Sequence, residues 1–371
     1  MFYSIKELVE QADLDFQGNV AELMITTEFE LTGREREEVF LLMERNLEVM
    51  KASVQLGLNE NKSRSGLTGG DAAKLDHYIK NEKTLSDYTI LSAARNAIAV
   101  NEHNAKMGLV CATPTAGSAG CLPSVLTAAI EKLDLSHEQQ LDFLFAAGAF
   151  GLVIANNASI SGAEGGCQAE VGSASAMSAA ALTLAAGGTP YQASQAIAFV
   201  IKNMLGLICD PVAGLVEVPC VKRNAMGASF AFIAADMALA GIESKIPVDE
   251  VIDAMYQVGA SMPTAFRETA EGGLATTPTG RRLQKEQHFF SIWMEPSLIV
   301  LSGFTMPLPI PLKSWGCLAL MPKLFVVLWD HLSKVVLRPA CPKTKFLKPC
   351  RYIVLTIRQK ASMKLNSFLR L

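Results

Sequence analysis

Cys167, Cys209 and Cys220 are the residues whose type and setting point most directly to chemistry. Cys167 follows Gly165-Gly166 and opens an Ala/Ser-rich run, so its sulfur is expected at a helix N-terminus, where free N–H groups and the helix dipole favour a thiolate. Cys209 precedes Asp210-Pro211, a turn signal, and Cys220 follows Pro219, which puts both on tight bends rather than inside regular elements. Thiolates so placed suit a metal. The chain contains no C-x-x-C pair, the usual ligand turn of zinc ribbons and ferredoxins. Three thiolates with no evident fourth protein ligand would leave one iron of a 4Fe-4S cluster open, and an open iron is a Lewis acid as well as an electron relay.

Two loops stand upstream of these cysteines. Asn61-Lys-Ser-Arg-Ser-Gly-Leu-Thr-Gly-Gly-Asp71 runs into the helical pattern of residues 72–79. Its glycines let backbone N–H groups converge into a nest, and the helix start adds its dipole, so the loop can hold a carboxylate or phosphate; a plain helix cap explains the same residues. Residues 110–123 form a second loop, with Thr113, Thr115 and two glycines, leading into a helix over 124–132. This loop lacks the Gly-Lys-Ser/Thr ending of a P-loop and gives no support to nucleotide binding. Cys111 and Cys121, near it, read as small buried hydrophobes.

Between the loops, residues 89–107 read as a helix with Ile90, Ala94, Ala97, Ile98 and Asn101 on one side and Arg95, Glu102, His103 and Lys106 on the other. His103 is a candidate general base, because imidazole titrates near neutral pH. A solvated charged face accounts for the same pattern, and His77 and His137 are read the same way. Further out, Thr32 is expected to cap a helix with Glu35 reaching back, and Val39, Met43, Leu47, Met50 and Val54 form its buried stripe down to Gly57. Helices are also expected over 227–239 and 248–258. The Ala/Gly/Ser-rich run over 146–186 predicts helices packed unusually close around Cys167, with Asn156 and Asn157 nearby.

Glu164-Gly-Gly-Cys-Gln-Ala-Glu-Val-Gly172, Cys209-Asp-Pro-Val-Ala-Gly214 and Val218-Pro-Cys-Val-Lys-Arg-Asn-Ala225 resemble the cluster-binding segments of the iron-sulfur-dependent L-serine dehydratases, in particular the separate α chain of the two-subunit bacterial form. Ser65-Gly-Leu-Thr-Gly-Gly70 and Thr113-Pro-Thr-Ala-Gly-Ser-Ala-Gly120 resemble two further family segments in the expected order, and residues 267–282 resemble the closing one. The resemblance covers residues 1–286. It implies a 4Fe-4S cluster on Cys167, Cys209 and Cys220 with no pyridoxal phosphate. L-serine would lie near Ser65, Gly66, Thr68, Gly69, Gly70, Thr113 and Thr115, and would be deaminated by dehydration to pyruvate and ammonia. It also implies a partner β chain bearing a Ser-Ser-His-Thr segment that this sequence lacks, so the base is unassigned here and can belong to that partner. A noncatalytic iron-sulfur or zinc protein, and an assembly-defective relic of the enzyme, are the competing readings.

Composition sets the frame. The chain is 50% hydrophobic, 19% charged and only 7% aromatic, with bulk supplied by Ala, Gly, Leu, Val and Met, which favours an all-α, bundle-like body; the cluster that the resemblance implies is expected on its loops and helix N-termini. From residue 287 onward there are 12 Lys and Arg against Glu295 and Asp330. Residues 1–286 therefore hold 21 of the 33 basic and 34 of the 36 acidic side chains. All three tryptophans and 8 of the 16 prolines lie in that tail, so two unrelated compositions are joined. Residues 287–371 are expected to be an out-of-frame or read-through segment without a selected fold. The tail's Lys and Arg lack the clustering of a nucleic-acid patch, and prolines and charges leave no uninterrupted apolar run of about 18 residues or more for a membrane span. The uncharged stretch 171–201 is punctuated by Ser, Gln, Thr, Gly and Pro and reads as a buried helix pair. The start lacks a basic segment followed by an apolar core, and a cytoplasmic location is expected.

Overall fold

A computed structural model describes residues 2–59 and 61–287 and the backbone of 298–300. The expectation for the tail beyond 287 otherwise falls outside the described residues. The architecture is all-α, as the composition predicts: α1 (Ile5–Phe16), α2 (Val20–Thr32), α3 (Arg36–Gly57), α4 (Asp71–Asn81), α5 (Tyr88–Ala105), α6 (Cys121–Leu133), α7 (His137–Asn157), the single turn α8 (Gly162–Gly165), α9 (Ser173–Ala185), α10 (Pro190–Met204), α11 (Cys220–Leu239), α12 (Val248–Ser261) and α13 (Pro278–Gln287). Among the described residues the only ladder is a parallel pair, β1 (Val110–Ala112) with β2 (Leu298–Val300), in the register Val110 to Leu298.

The N-terminal helices start where side chains satisfy free backbone donors. Ser4 Oγ accepts from the N–H of Glu7 and Asn19 Oδ1 from that of Glu22, both at 3.0 Å, and these caps set α1 and α2. The expected Thr32–Glu35 capping box is not formed. Thr32 ends α2 instead, its hydroxyl donating back to the Glu28 carbonyl at 2.8 Å, and Gly33 stops the helix at φ 68°. α3 then starts after Glu35, and its predicted stripe of Val39, Met43, Leu47, Met50 and Val54 is buried.

α9 lies at the centre, buried from Ser173 to Thr183 and packed against α6, α7, α10 and α11. Small residues permit this. A Cβ added at Gly227 of α11 would stand 2.8 Å from Val171 and 2.9 Å from the Cys121 sulfur, and Ser175 Oγ donates to the Gly227 carbonyl at 2.5 Å. The uncharged stretch is thus the buried pair α9–α10. No described helix is long and apolar enough to cross a membrane. α5, the other central helix, packs on α3, α4, α6 and α11 and so reaches both upstream loops.

Candidate functional site

Cys167 begins the helical segment that becomes α9, but the first residues, Gln168–Gly172, are wound as a π-helical turn. Such turns are frequent at functional sites, since the extra residue re-aims side chains. Gln168, fully buried, anchors the turn in three directions. Its N–H donates to the Leu207 carbonyl at 2.9 Å, its Oε1 accepts from the N–H of Gly206 at 2.9 Å, and its Nε2 donates to the Met255 carbonyl at 2.8 Å. The Cys167 segment is thereby tied to the strand-like stretch leading into Cys209. Gly166, at φ 75°, is required here: a side chain would meet Met262 at 2.7 Å and the Leu207 carbonyl at 2.9 Å.

Cys209 is held by an isolated parallel bridge to Arg267. Its N–H donates to the Phe266 carbonyl and its carbonyl accepts from Glu268, both at 2.8 Å. Cys220 is not on the bend that was expected but is the first residue of α11, which starts seven residues earlier than predicted, with Pro219 at the N-cap position, where a backbone N–H is not needed. Asn224, one turn on, donates to the carbonyls of Cys220 at 2.9 Å and Gly117 at 2.7 Å and accepts from the N–H of Gly120 at 3.1 Å, joining α11 to the second hydroxyl-rich loop.

The three sulfurs come from separate elements yet lie within one electrostatic neighbourhood. All are buried and none is in a disulfide. Burial pushes the Cys167 thiol up to about 12, with Glu170 adding to it, so the helix N-terminus does not make it an acidic thiol in the protein alone. Burial likewise drives the Cys209 and Cys220 thiols far above the usual thiol range, helped by Glu170 and by Cys167. Arg223 is the countercharge among them, paired with Asp210 at 2.9 Å and bonded to Cys167. Burial lowers the guanidinium's affinity for its proton, but the nearby Cys167, Asp210 and Cys220 more than offset this. Lys222, by contrast, turns outward to Asp71 at the start of α4.

Glu170 is the residue that sequence reasoning left without a role. Its Oε1 accepts from the Thr115 hydroxyl at 2.7 Å and its Oε2 lies 3.8 Å from Cys209 Sγ. Gly117 and Gly162 close around the same carboxyl; a Cβ on Gly162 would stand 2.6 Å from Oε2 and 3.0 Å from the Cys209 sulfur. Burial raises its pKa to about 7, against the Thr115 bond. A glutamate three residues past a cysteine, opening the uncharged run over 171–201, was the signal available in the sequence.

The first loop is fastened in a similar way. Ser63 and Ser65 each donate to Glu217, at 2.7 Å, and Glu217 lies between Cys209 and Cys220. The N–H groups of Gly69, Gly70 and Asp71, the predicted anion nest, are directed at the Glu102 carboxylate at 2.9–3.1 Å. Glu102 is completely buried rather than on a solvated face, because these three donors replace its water. Gly66 is exposed at the loop's outer turn, at φ 74°, while the hydroxyls of Thr68 and Thr113 are buried without a hydrogen-bond partner among the described residues. His103 lies near the end of α5 with its ring against Gly108, half-buried, and burial followed by the Lys106 charge pulls its pKa down. Asn157 bonds the Tyr3 carbonyl at 2.8 Å, away from the expected role beside Cys167.

Among the described residues no set of three or more His, Cys, Asp or Glu side chains is spaced for a single metal ion. A lone tetrahedral ion needs sulfurs about 4 Å apart, whereas a multi-iron cluster spreads its ligands wider.

The fold is thus an all-α body that gathers three buried thiols between two hydroxyl-rich loops. The chain belongs to the serine dehydratase alpha chain family, which matches residues 16–275. It is 62% identical over 286 residues to the probable L-serine dehydratase alpha chain of Bacillus subtilis (strain 168), covering 77% of this chain and 95% of that one. It is 43% identical over 269 residues to the L-serine dehydratase alpha chain of Peptoniphilus asaccharolyticus, covering 72% and 92%. Against the L-serine dehydratase TdcG of Escherichia coli (strain K12) identity is 36% over 283 residues, covering 74% of this chain and 61% of that one.

Proposed function

We propose that this chain deaminates L-serine to pyruvate and ammonia as the α chain of a two-chain enzyme, with Cys167, Cys209 and Cys220 holding a 4Fe-4S cluster. The observation that carries the reading is the gathering of these three buried thiols about Arg223 while both hydroxyl-rich loops are fastened to the same segments, one through Glu217 and the other through Glu170. When bound, the cluster supplies a Lewis-acidic iron for the hydroxyl that leaves.

The chain's own residues supply position and charge. Arg223 offsets the ligand thiolates, and Gln168 and Asn224 fix the backbone on which the first and last cysteines stand. The unpartnered hydroxyls of Thr68 and Thr113 are the donors this reading gives to the substrate's polar groups. Loss of the Cα proton and of the hydroxyl as water leaves an enamine, which becomes an imine; water then releases ammonia and leaves pyruvate. The proton acceptor is assigned to the partner β chain, whose existence the alpha-chain names of the relatives imply. A soluble cytoplasmic assembly without pyridoxal phosphate completes the reading.

The test is pyruvate release from L-serine under strict anaerobiosis by iron-reconstituted protein, with and without the β chain, for the full chain and for one ending at residue 306. Turnover requiring iron and the β chain, and unaffected by pyridoxal phosphate, is the expected result. A fully iron-loaded pair that leaves L-serine intact would refute the assignment.

A further inference from the structure

The 61–71 loop is the one segment near the thiols that reads from sequence as an open anion site, and its geometry differs from that reading. Gly69 and Gly70 adopt φ 118° and 84°, and a Cβ at Gly69 would stand 2.2 Å from the Asn61 carbonyl, so the loop is folded tightly on itself. The folding converges three N–H groups, those of Gly69, Gly70 and Asp71, at the first turn of α4. Glu102 of α5 fills this nest from below: Oε1 accepts from Gly69 at 3.1 Å and Asp71 at 2.9 Å, and Oε2 from Gly70 at 3.0 Å. The side chain is fully buried. A buried carboxylate with three backbone donors is a complete internal anion site, and removing the charge would strand those donors.

The loop's other ends are tied to the cysteine-bearing region. Ser63 and Ser65 reach Glu217 between Cys209 and Cys220, and Asp71 reaches Lys222 beside Cys220. Lys62 Nζ closes the loop on the Gly69 carbonyl at 2.7 Å. Glu102 is therefore the residue of the central helix α5 to which the backbone of this strap is hydrogen-bonded.

We propose that Glu102 is a positioning residue that occupies the anion nest of the 61–71 loop and so holds the Ser65 and Thr68 hydroxyls in register with the cysteine centre, the substrate's carboxylate being bound elsewhere. The proposal rests on the serine dehydratase reading for its kinetic consequence but not for its structural one. The nest is filled from within the chain, so an external carboxylate gains nothing there. Changing Glu102 acts on substrate binding through the loop.

The experiment compares Glu102→Gln and Glu102→Asp with wild type in the iron-loaded two-chain enzyme, by steady-state kinetics on L-serine, iron content and limited trypsin digestion at the exposed Arg64. Glutamine keeps the shape but turns an N–H donor toward the backbone donors. It is expected to raise KM at least tenfold with kcat changed less than threefold, to leave iron content intact, and to speed cleavage after Arg64. Aspartate, keeping the charge, should restore part of both effects. A Glu102→Gln enzyme with wild-type KM and wild-type cleavage overturns the proposal. Competitive inhibition of the wild type by acetate that disappears in Glu102→Gln also overturns it, since the nest would then take an external carboxylate. If the wild type does not turn over L-serine, the dehydratase reading fails, and the Arg64 cleavage rates alone decide the role of Glu102.

Discussion

Gly162 offers a direct test of how tightly the thiol centre is built. An added Cβ would stand 2.6 Å from Glu170 Oε2 and 3.0 Å from Cys209 Sγ, where ordinary contact begins at 3.4 Å. Gly162→Ala must therefore push the carboxylate back by about 0.8 Å and the sulfur by about half that, a small-to-large change in a packed site that costs about 1–3 kcal/mol. Gly162 opens the turn α8, and alanine's better helix propensity returns up to about 1 kcal/mol, so the loss in stability is modest. The site itself tolerates less, because working geometries hold to about 0.5 Å and disturbing groups behind a metal ligand typically costs about 10–100-fold in metal affinity. The matched control is Gly187→Ala: at φ 87° with nothing within 4 Å, it costs about 1–2 kcal/mol through backbone strain alone. Iron content and visible cluster absorption after anaerobic reconstitution at limiting iron, read beside thermal melts, separate the two. Gly162→Ala should lose most of its iron, and Gly187→Ala should lose several degrees of Tm and keep its iron. Equal iron in both variants would refute the placement of Cys209 and Glu170 against Gly162.

Three further outcomes are expected. Cys167→Ser, Cys209→Ser and Cys220→Ser should each abolish cluster absorption, and normal iron content in all three would end the ligand assignment. Ser65→Ala leaves the buried Glu217 carboxylate with one donor fewer, at a cost of about 1–3 kcal/mol, so Tm should fall and KM for serine rise; no change in either would show the Ser65–Glu217 bond to be idle. The His103 pKa is lowered on folding, so its contribution to stability is complete above the unfolded value of about 6.5 and is lost as pH falls through the folded one. His103→Asn should flatten the acid side of the stability profile while kcat stays near wild type. A large drop in kcat, with the acid slope unchanged, would return the ring to the role of base.

The all-α class was legible because small aliphatic residues dominate the body, and the cysteines stood out because glycine and proline frame them. What escaped was whatever depends on a distant partner. Glu102 shares its helix face with Arg95 and Lys106 and reads as solvated; only the docking of a loop more than thirty residues earlier turns it inward. Glu170 sits in a π-helical turn, where the 3.6-residue period used to assign faces does not hold. The start of α11 was missed because the sequence reading treated Pro219 as a bend, whereas proline at a helix start gives up only an N–H that has no partner there. α1 and α2 were legible in principle from Ser4 and Asn19, whose capping bonds are local.

The electrostatics of the centre set a condition on the ligand proposed for it. Glu170, Glu217 and Glu268 all have pKa values raised first by burial, and three buried thiols stand among them. Arg223 is the cation bonded into this group, and it already serves Asp210. Thiolates can form here only if positive charge arrives with the ligand, because a buried anion without a countercharge neutralises itself by taking a proton. A hard divalent ion would seek oxygen ligands, and part of the carboxylate oxygen here already accepts hydrogen bonds: Glu217 from Ser63 and Ser65, and one oxygen of Glu170 from Thr115. The three sulfurs are the proposed ligands, and sulfur selects soft metals. Ligand binding should accordingly release protons, nearly one for each thiol, and anaerobic reconstitution in weak buffer should show that release. Reconstitution without proton release would mean that the cysteines are not the groups that take up the iron.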